Sequence, residues 1–203
     1  RDSPVTGVQT CALPISGWWH CPSCKDRMYL AKDKVNMSIL GELRMDPFVN
    51  QDNLVLNDVD AVTNELKELY KLGGRTVVDP TNIGIGRNPK ILREISEETN
   101  LNIVMGAGFY LQPTHPDFVK NLTKRDISEL IVNEFVNGVD DTGVKIGIIG
   151  EIGISKDFTS EEEKVLRGAA MASKATKLPL SVHLPGWERH GNKVLDIAKE
   201  EGC

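Results

Sequence analysis

The chain has 203 residues and a hydrophobic content of 40%, enough for one domain with a real core and too apolar for global disorder. Its formal net charge of −5 argues against a nucleic-acid binder, which needs a basic face, and against a polybasic membrane anchor. No apolar stretch approaches the roughly 20 residues that span a bilayer, so no membrane partner is expected.

Residues 1–16 carry neither a helical nor a strand period. They resemble the conceptual translation of a sequencing-library adapter and are set aside as a non-native segment. Residues 17–203 are expected to form the domain proper. His20 and the pair Cys21 and Cys24 look like half of a zinc knuckle, but no second cysteine pair follows at zinc spacing. Trp18 and Trp19 are treated with the same caution. The four cysteines (Cys11, Cys21, Cys24 and Cys203) are too few for a disulfide scaffold, and residues 25–202 outside that cluster have none. That usage fits a reducing cytoplasm.

After a loop-like stretch to about residue 56, helices and strands alternate. Val59, Val62, Leu66, Leu69 and Leu72 lie on one helical face over 58–72, with Asn57 or Asp58 as cap and Gly73-Gly74 as terminator. Residues 75–79 read as a β-branched strand ended by Pro80. Asn88-Pro89 caps and opens a helix with Ile91, Leu92 and Ile95 inward. A strand over 101–106 and a helix over 126–136, closed by Gly138, come next. Lys145 to Glu151 is the third strand. Thr159 to Glu162 is a capping box that opens a helix through about Lys177. The last elements are a strand over 179–183 and a helix over about 191–201.

Continuous apolar strands alternating with helices indicate an α/β fold with a parallel sheet buried on both faces. Two architectures satisfy this pattern: an open doubly wound sheet, or part of a (β/α)8 barrel. A full barrel typically needs ~250 residues, and four strands make roughly half of one. The chain does not begin with Met. It stops at Gly202-Cys203, where a further strand is expected after the last helix. A piece of a longer barrel is therefore the expectation, with unpaired sheet edges and a tendency to aggregate.

Glu151 and His183 are the most informative polar residues. Each closes an apolar strand-like run, and one helix separates them. A carboxylate in an apolar run is costly unless it is paired or bound to a metal. A carboxylate and an imidazole at equivalent ends of neighbouring parallel strands are a ligand set suited to zinc and similar ions. The plainer reading, a solvated or ion-paired Glu and a hydrogen-bonded His, stands beside it. Gly150 and Gly153 leave room for close backbone or ligand approach. Lys145 lies roughly 20 Å from Glu151 along an extended strand, at the opposite end, and reads as a solvated residue. Gly84-Ile85-Gly86 hints at a phosphate cradle, though a tight loop between strand and helix is the better reading. Tyr110 lies just past a strand end, and His115 in a loop.

Several blocks, in order, resemble the phosphotriesterase family of metal-dependent hydrolases, within the amidohydrolase superfamily. They are Asp46-Pro47-Phe48 with residues 52–56, residues 73–81, residues 83–87, residues 106–110, residues 147–153, and Ser181-Val182-His183. The resemblance implies a partial (β/α)8 TIM barrel, roughly strands 2–5 with their helices. It implies two divalent metal ions, with zinc the expected ion, and hydrolysis of an ester bond through a metal-bridging hydroxide. Glu151 matches the acid that bridges the two ions, and His183 matches the fifth-strand ligand of the second. Tyr110 becomes a candidate substrate-binding residue.

The substrate expected from the resemblance is a small-molecule lactone, carboxylic ester or phosphate ester, with a homodimer as the parent assembly. The first-strand His pair and the ligands of strands six to eight have no counterpart in the sequence, so weak metal binding and no turnover are expected of this piece. The competing class is a non-catalytic or nucleotide-binding open-sheet module, which needs a working glycine loop at Gly84 and Gly86.

Overall fold

The computed structural model describes residues 28–55 and 58–203. The segment 1–16, the His20 and cysteine cluster, both early tryptophans and Asn57 lie outside the described residues. Those described fall into two compact units, 28–55 and 58–203.

The smaller unit is not the plain loop that the sequence suggests. It holds helices α1 (Tyr29–Lys32) and α2 (Leu40–Met45), followed by single 3-10 turns at Pro47–Val49 and Asp52–Leu54. Helices of four and six residues are too short to show a period against background, which is why the pattern hid them. Leu30, Ile39, Leu43 and Val49 form a small core of their own. Asn50, fully buried, ties the unit together: its amide donates to the Leu30 and Asp33 carbonyls and its Oδ1 accepts from Asn53 N–H.

The larger unit alternates helix and strand from end to end. Helix α3 (Val59–Lys71) begins at Asp58, whose carboxylate accepts from Ala61 N–H. Strand β1 (Thr76–Asp79) follows, then α4 (Pro89–Thr99), capped by the Asn88 side chain with Pro89 in its first turn. Strand β2 (Asn102–Met105) leads through two 3-10 turns to α5 (Lys124–Val136). Thr123 and Asp126 form a reciprocal capping box there, so the helix starts two residues before the expected point. Strand β3 (Ile149–Gly153), helix α6 (Ser160–Thr176), strand β4 (Leu180–His183) and helix α7 (Gly191–Glu201) complete the unit.

Strands β1 and β2 pair in parallel, as do β3 and β4. The two pairs are joined where Gly147 N–H donates to the Met105 carbonyl and Gly150 N–H to the Ala107 carbonyl. The order across the strands is therefore β1, β2, β3, β4, with a helix in every crossover.

Only β3 is buried along its whole length. Strand β1 alternates, and β4 is half-buried throughout, against the expectation of strands enclosed on both faces. The difference follows from cover. Ile149, Ile152 and Ile154 sink into the main core with Ile127 and Ile131 of α5 and Val165, Leu166 and Ala169 of α6. Around β1 a smaller core gathers Leu66, Val77, Ile95 and Leu101. At roughly 1.5–3 kcal/mol per fully buried large aliphatic side chain, the main core is the chief source of stability.

The third strand also begins later than expected, at Ile149 rather than Lys145. The apolar run has no internal break to mark where ladder pairing starts. Lys145 is exposed and precedes β3, which agrees with its reading as a solvated residue.

Candidate functional site

The strands are tied together by two hydrogen bonds that skip a neighbour, one between main chains and one from a side chain. Glu151 N–H donates to the Pro80 carbonyl at 2.8 Å, although β2 lies between β1 and β3. Asn82 Nδ2 donates to the Glu151 carbonyl at 2.6 Å. Glu151 is thus held from the turn after β1, inside β3 rather than at its last residue as the sequence reading had it.

Its setting within β3 is irregular. Ile149 pairs with Leu180, but Ile152 pairs with Val182, so three steps on β3 match two on β4. The extra residue makes a bulge across Gly150 and Glu151. A bulge re-aims side chains that strict alternation would place on fixed faces. Gly150 is required there: its φ is +133°, and a Cβ would lie 2.4 Å from the Ser181 carbonyl oxygen.

The result is a contact between the two residues that the sequence singled out. Glu151 Oε1 lies 3.3 Å from His183 Nδ1. Glu151 is buried, while the His183 side chain keeps 38% exposure at the end of β4. Tyr110, also buried, meets the His183 ring edge to face at 5.1 Å between centroids. Gly153 makes that approach feasible, since a Cβ on it would lie 2.4 Å from Leu111 N and 2.5 Å from the Tyr110 carbonyl carbon. Carboxylate, imidazole and phenol therefore come from the middle of β3, the last residue of β4 and the loop after β2.

His115, read as a loop residue, supports this wall from behind. Its Nε2 lies 2.7 Å from the Tyr110 carbonyl oxygen, so Nε2 carries the hydrogen and donates. Nδ1 is buried with no partner. Burial, chiefly, holds the imidazole pKa below its ordinary value. His190 sits at the start of α7, with Nε2 2.8 Å from the Lys156 carbonyl and its ring against Phe158. It takes no part in the Glu151–His183 pair.

Two further buried groups brace the frame. Arg87 makes a bidentate pair with Glu134 of α5, at 2.6 and 2.8 Å, and donates to the Gly106 carbonyl. Glu162, fully buried, accepts from Ser155 N–H and Oγ, Thr159 N–H and Gln112 N–H. The sequence showed Glu162 only as half of a capping box. Its link to Gln112, in the loop just after Tyr110, depends on a contact fifty residues away.

The donor chemistry of Glu151 and His183, one carboxylate and one imidazole in contact, fits a divalent cation such as zinc. A zinc site takes three or four ligands. Among the described residues no group of three or more His, Cys, Asp or Glu gathers, so this pair is a partial set. Gly84 does not offer a phosphate cradle. It is packed against the Thr114 carbonyl, and Ile85 beside it is buried.

Parallel strands with helical crossovers, and a carboxylate–imidazole pair across two of them, define an α/β protein of (β/α) type. The family model described as phosphotriesterase family matches residues 25–203, and the chain belongs to that family. It is 37% identical over 186 residues to N-acetyltaurine hydrolase of Xenopus tropicalis, covering 91% of this chain and 53% of that protein. A resiniferatoxin-binding protein from Rhodobacter sphaeroides is similar in structure, with a TM-score of 0.94 and 47% identity, over 99% of this chain and 57% of that one. A lactonase from Listeria monocytogenes matches with a TM-score of 0.67 and 28% identity, over 73% of this chain and 50% of that one. The chain thus spans about half the length of the proteins it matches. Family membership removes the support for a nucleotide-binding open-sheet module. No helix among the described residues is long and apolar enough to cross a membrane.

Proposed function

We propose that the chain carries part of the metal site of a (β/α)8-barrel hydrolase, contributing about strands two to five. The carrying observation is the 3.3 Å contact between Glu151 and His183 across two adjacent parallel strands. Glu151 would hold two divalent ions, with zinc the expected metal, and His183 would bind one of them. When bound, such ions lower the pKa of a water and polarise the substrate oxygen.

The chain's own residues supply the setting. Glu151 is shielded from water, which strengthens its hold on a cation. His183 is held in orientation by its contacts with Glu151 and the Tyr110 ring. Tyr110, whose ring touches His183, would form an apolar wall beside a bound substrate. The substrate class is a small molecule with an ester or amide bond. Lactones and carboxylic or phosphate esters fit the family. An N-acyl amide is added because a relative sharing more than a third of the aligned residues is named for hydrolysing one. A reducing cytoplasm is the proposed setting, because residues 25–202 carry no cysteine.

The test is calorimetric titration of metal-stripped protein with zinc, followed by assay against a lactone, a carboxylic ester, a phosphate triester and an N-acyl amide. Zinc binding that Glu151→Gln and His183→Ala each weaken at least tenfold, about 1.4 kcal/mol, is the expected result. Binding unchanged in both variants would overturn the reading.

A further inference from the structure

We infer that Asn82 is the positioning residue for Glu151, holding its main chain so that the carboxylate meets His183. The inference rests on the reading of Glu151 as a metal ligand and adds a residue to it. Asn82 is fully buried in the turn after β1. Its own carbonyl is anchored by Ile85 N–H at 3.2 Å and more weakly by Arg87 N–H at 3.5 Å. Arg87 is locked in turn to Glu134. The Asn82 side chain therefore projects from a braced turn.

From that turn two bonds reach the same residue. Pro80 accepts the Glu151 N–H, and Asn82 Nδ2 donates to the Glu151 carbonyl. Both cross the end of β2. Gly106, the residue after β2, is pressed between them: a Cβ there would lie 2.3 Å from Gly150 O and 2.8 Å from Pro80 Cα. Glu151 sits in the bulge, where the ladder between Ile149 and Ile152 is out of step. The Pro80 and Asn82 bonds substitute for regular pairing at Glu151.

The amide cannot be exchanged for another polar group of the same shape. Turned over, Oδ1 would face the Glu151 carbonyl oxygen, acceptor against acceptor, so the donor must point there. Oδ1 is left buried with no partner, as is the neighbouring Thr81 Oγ1. A buried orphan acceptor is a cost that a purely space-filling side chain would avoid. Asn at this position is explained by its donor.

The decisive variant is Asn82→Asp, which keeps the shape and replaces the donor by an acceptor. Two quantities are read on the full protein at neutral pH. One is hydrogen exchange of the Glu151 amide in the metal-free state, and the other is zinc affinity by calorimetry. Expected are at least tenfold faster exchange and at least tenfold weaker zinc binding. Glu151→Gln, run beside it, should lose zinc and keep slow exchange. Exchange at the parent rate in Asn82→Asp, or fast exchange with unchanged zinc affinity, would overturn the inference. Zinc binding unchanged in Glu151→Gln would instead sink the metal reading itself, so the two failures are distinct. Where the Asp variant does not fold, Asn82→Leu, similar in volume and without a donor, repeats both readings with the same expectations.

Discussion

Strands β1 and β2 and strands β3 and β4 are two parallel pairs of nearly equal length, and they behave differently. In the first pair Thr76 to Asp79 match Asn102 to Met105 one to one. In the second the register slips by one residue, and Glu151 lies in the slip. Both pairs carry hydrophobic packing: Val77 of the regular pair lies in the smaller core, and Ile149 and Ile152 of the irregular pair lie in the main one. The irregular pair brings a buried carboxylate against an imidazole. Regular ladders fix backbone position but dictate alternation. A bulge gives up ladder bonds and gains freedom to aim a side chain. Those bonds are replaced here by Pro80 and Asn82, from the regular half. The regular half therefore anchors the residue that the irregular half aims.

Breaking the brace on the turn after β1 should have the largest effect. Arg87→Ala leaves Glu134 buried without its cation and removes the bond to the Gly106 carbonyl. A loss of about 3–5 kcal/mol in urea-melt stability is expected. A change below 1 kcal/mol would show that the pair is dispensable.

Gly150→Ala attacks the bulge itself. The positive φ adds strain of about 1–3 kcal/mol, and the clash with Ser181 a further 1–3 or so. A loss of roughly 2–4 kcal/mol is expected after partial relaxation, with the Glu151–His183 contact visibly lengthened in a crystal structure. A variant as stable as the parent with the contact intact would mean that the slip is incidental.

The smallest effect concerns pH. His115 braces the Tyr110 loop, and burial holds its pKa below 6.5. The unfolded chain therefore takes up a proton at a higher pH than the folded one. Stability from this group is present above about pH 6.5 and declines as pH falls through that value, levelling out below the folded pKa. Replacing His115 by Asn should flatten the loss between about pH 7.5 and about pH 5.5, measured by urea melts. Identical slopes would contradict it.

Much of the frame is legible in the sequence because it is local. The Asn88-Pro89 start, the Thr159 to Glu162 capping box and the Gly73-Gly74 stop each rest on neighbours a few residues away, and all appear in the structure. Glu151 and His183 were visible as polar residues in apolar runs. The bulge was not, because register is a property of two strands and a sequence presents one at a time. Gly150 was the only local sign of it. The roles of Asn82 and His115 were hidden for a related reason. Their burial and their partners, Glu151 and the Tyr110 carbonyl, are set by packing rather than by spacing. The short helices of residues 28–55 fell below the length at which a period can be seen.

The central claim is that Glu151 and His183 ligate one metal together, and anomalous diffraction at the zinc edge tests it most directly. Crystals of the zinc-loaded protein should show an anomalous peak about 2.0–2.2 Å from a Glu151 carboxylate oxygen and about 2.0–2.1 Å from a His183 ring nitrogen. A peak bound elsewhere, or a Glu151–His183 contact unchanged with no zinc beside it, would contradict the account.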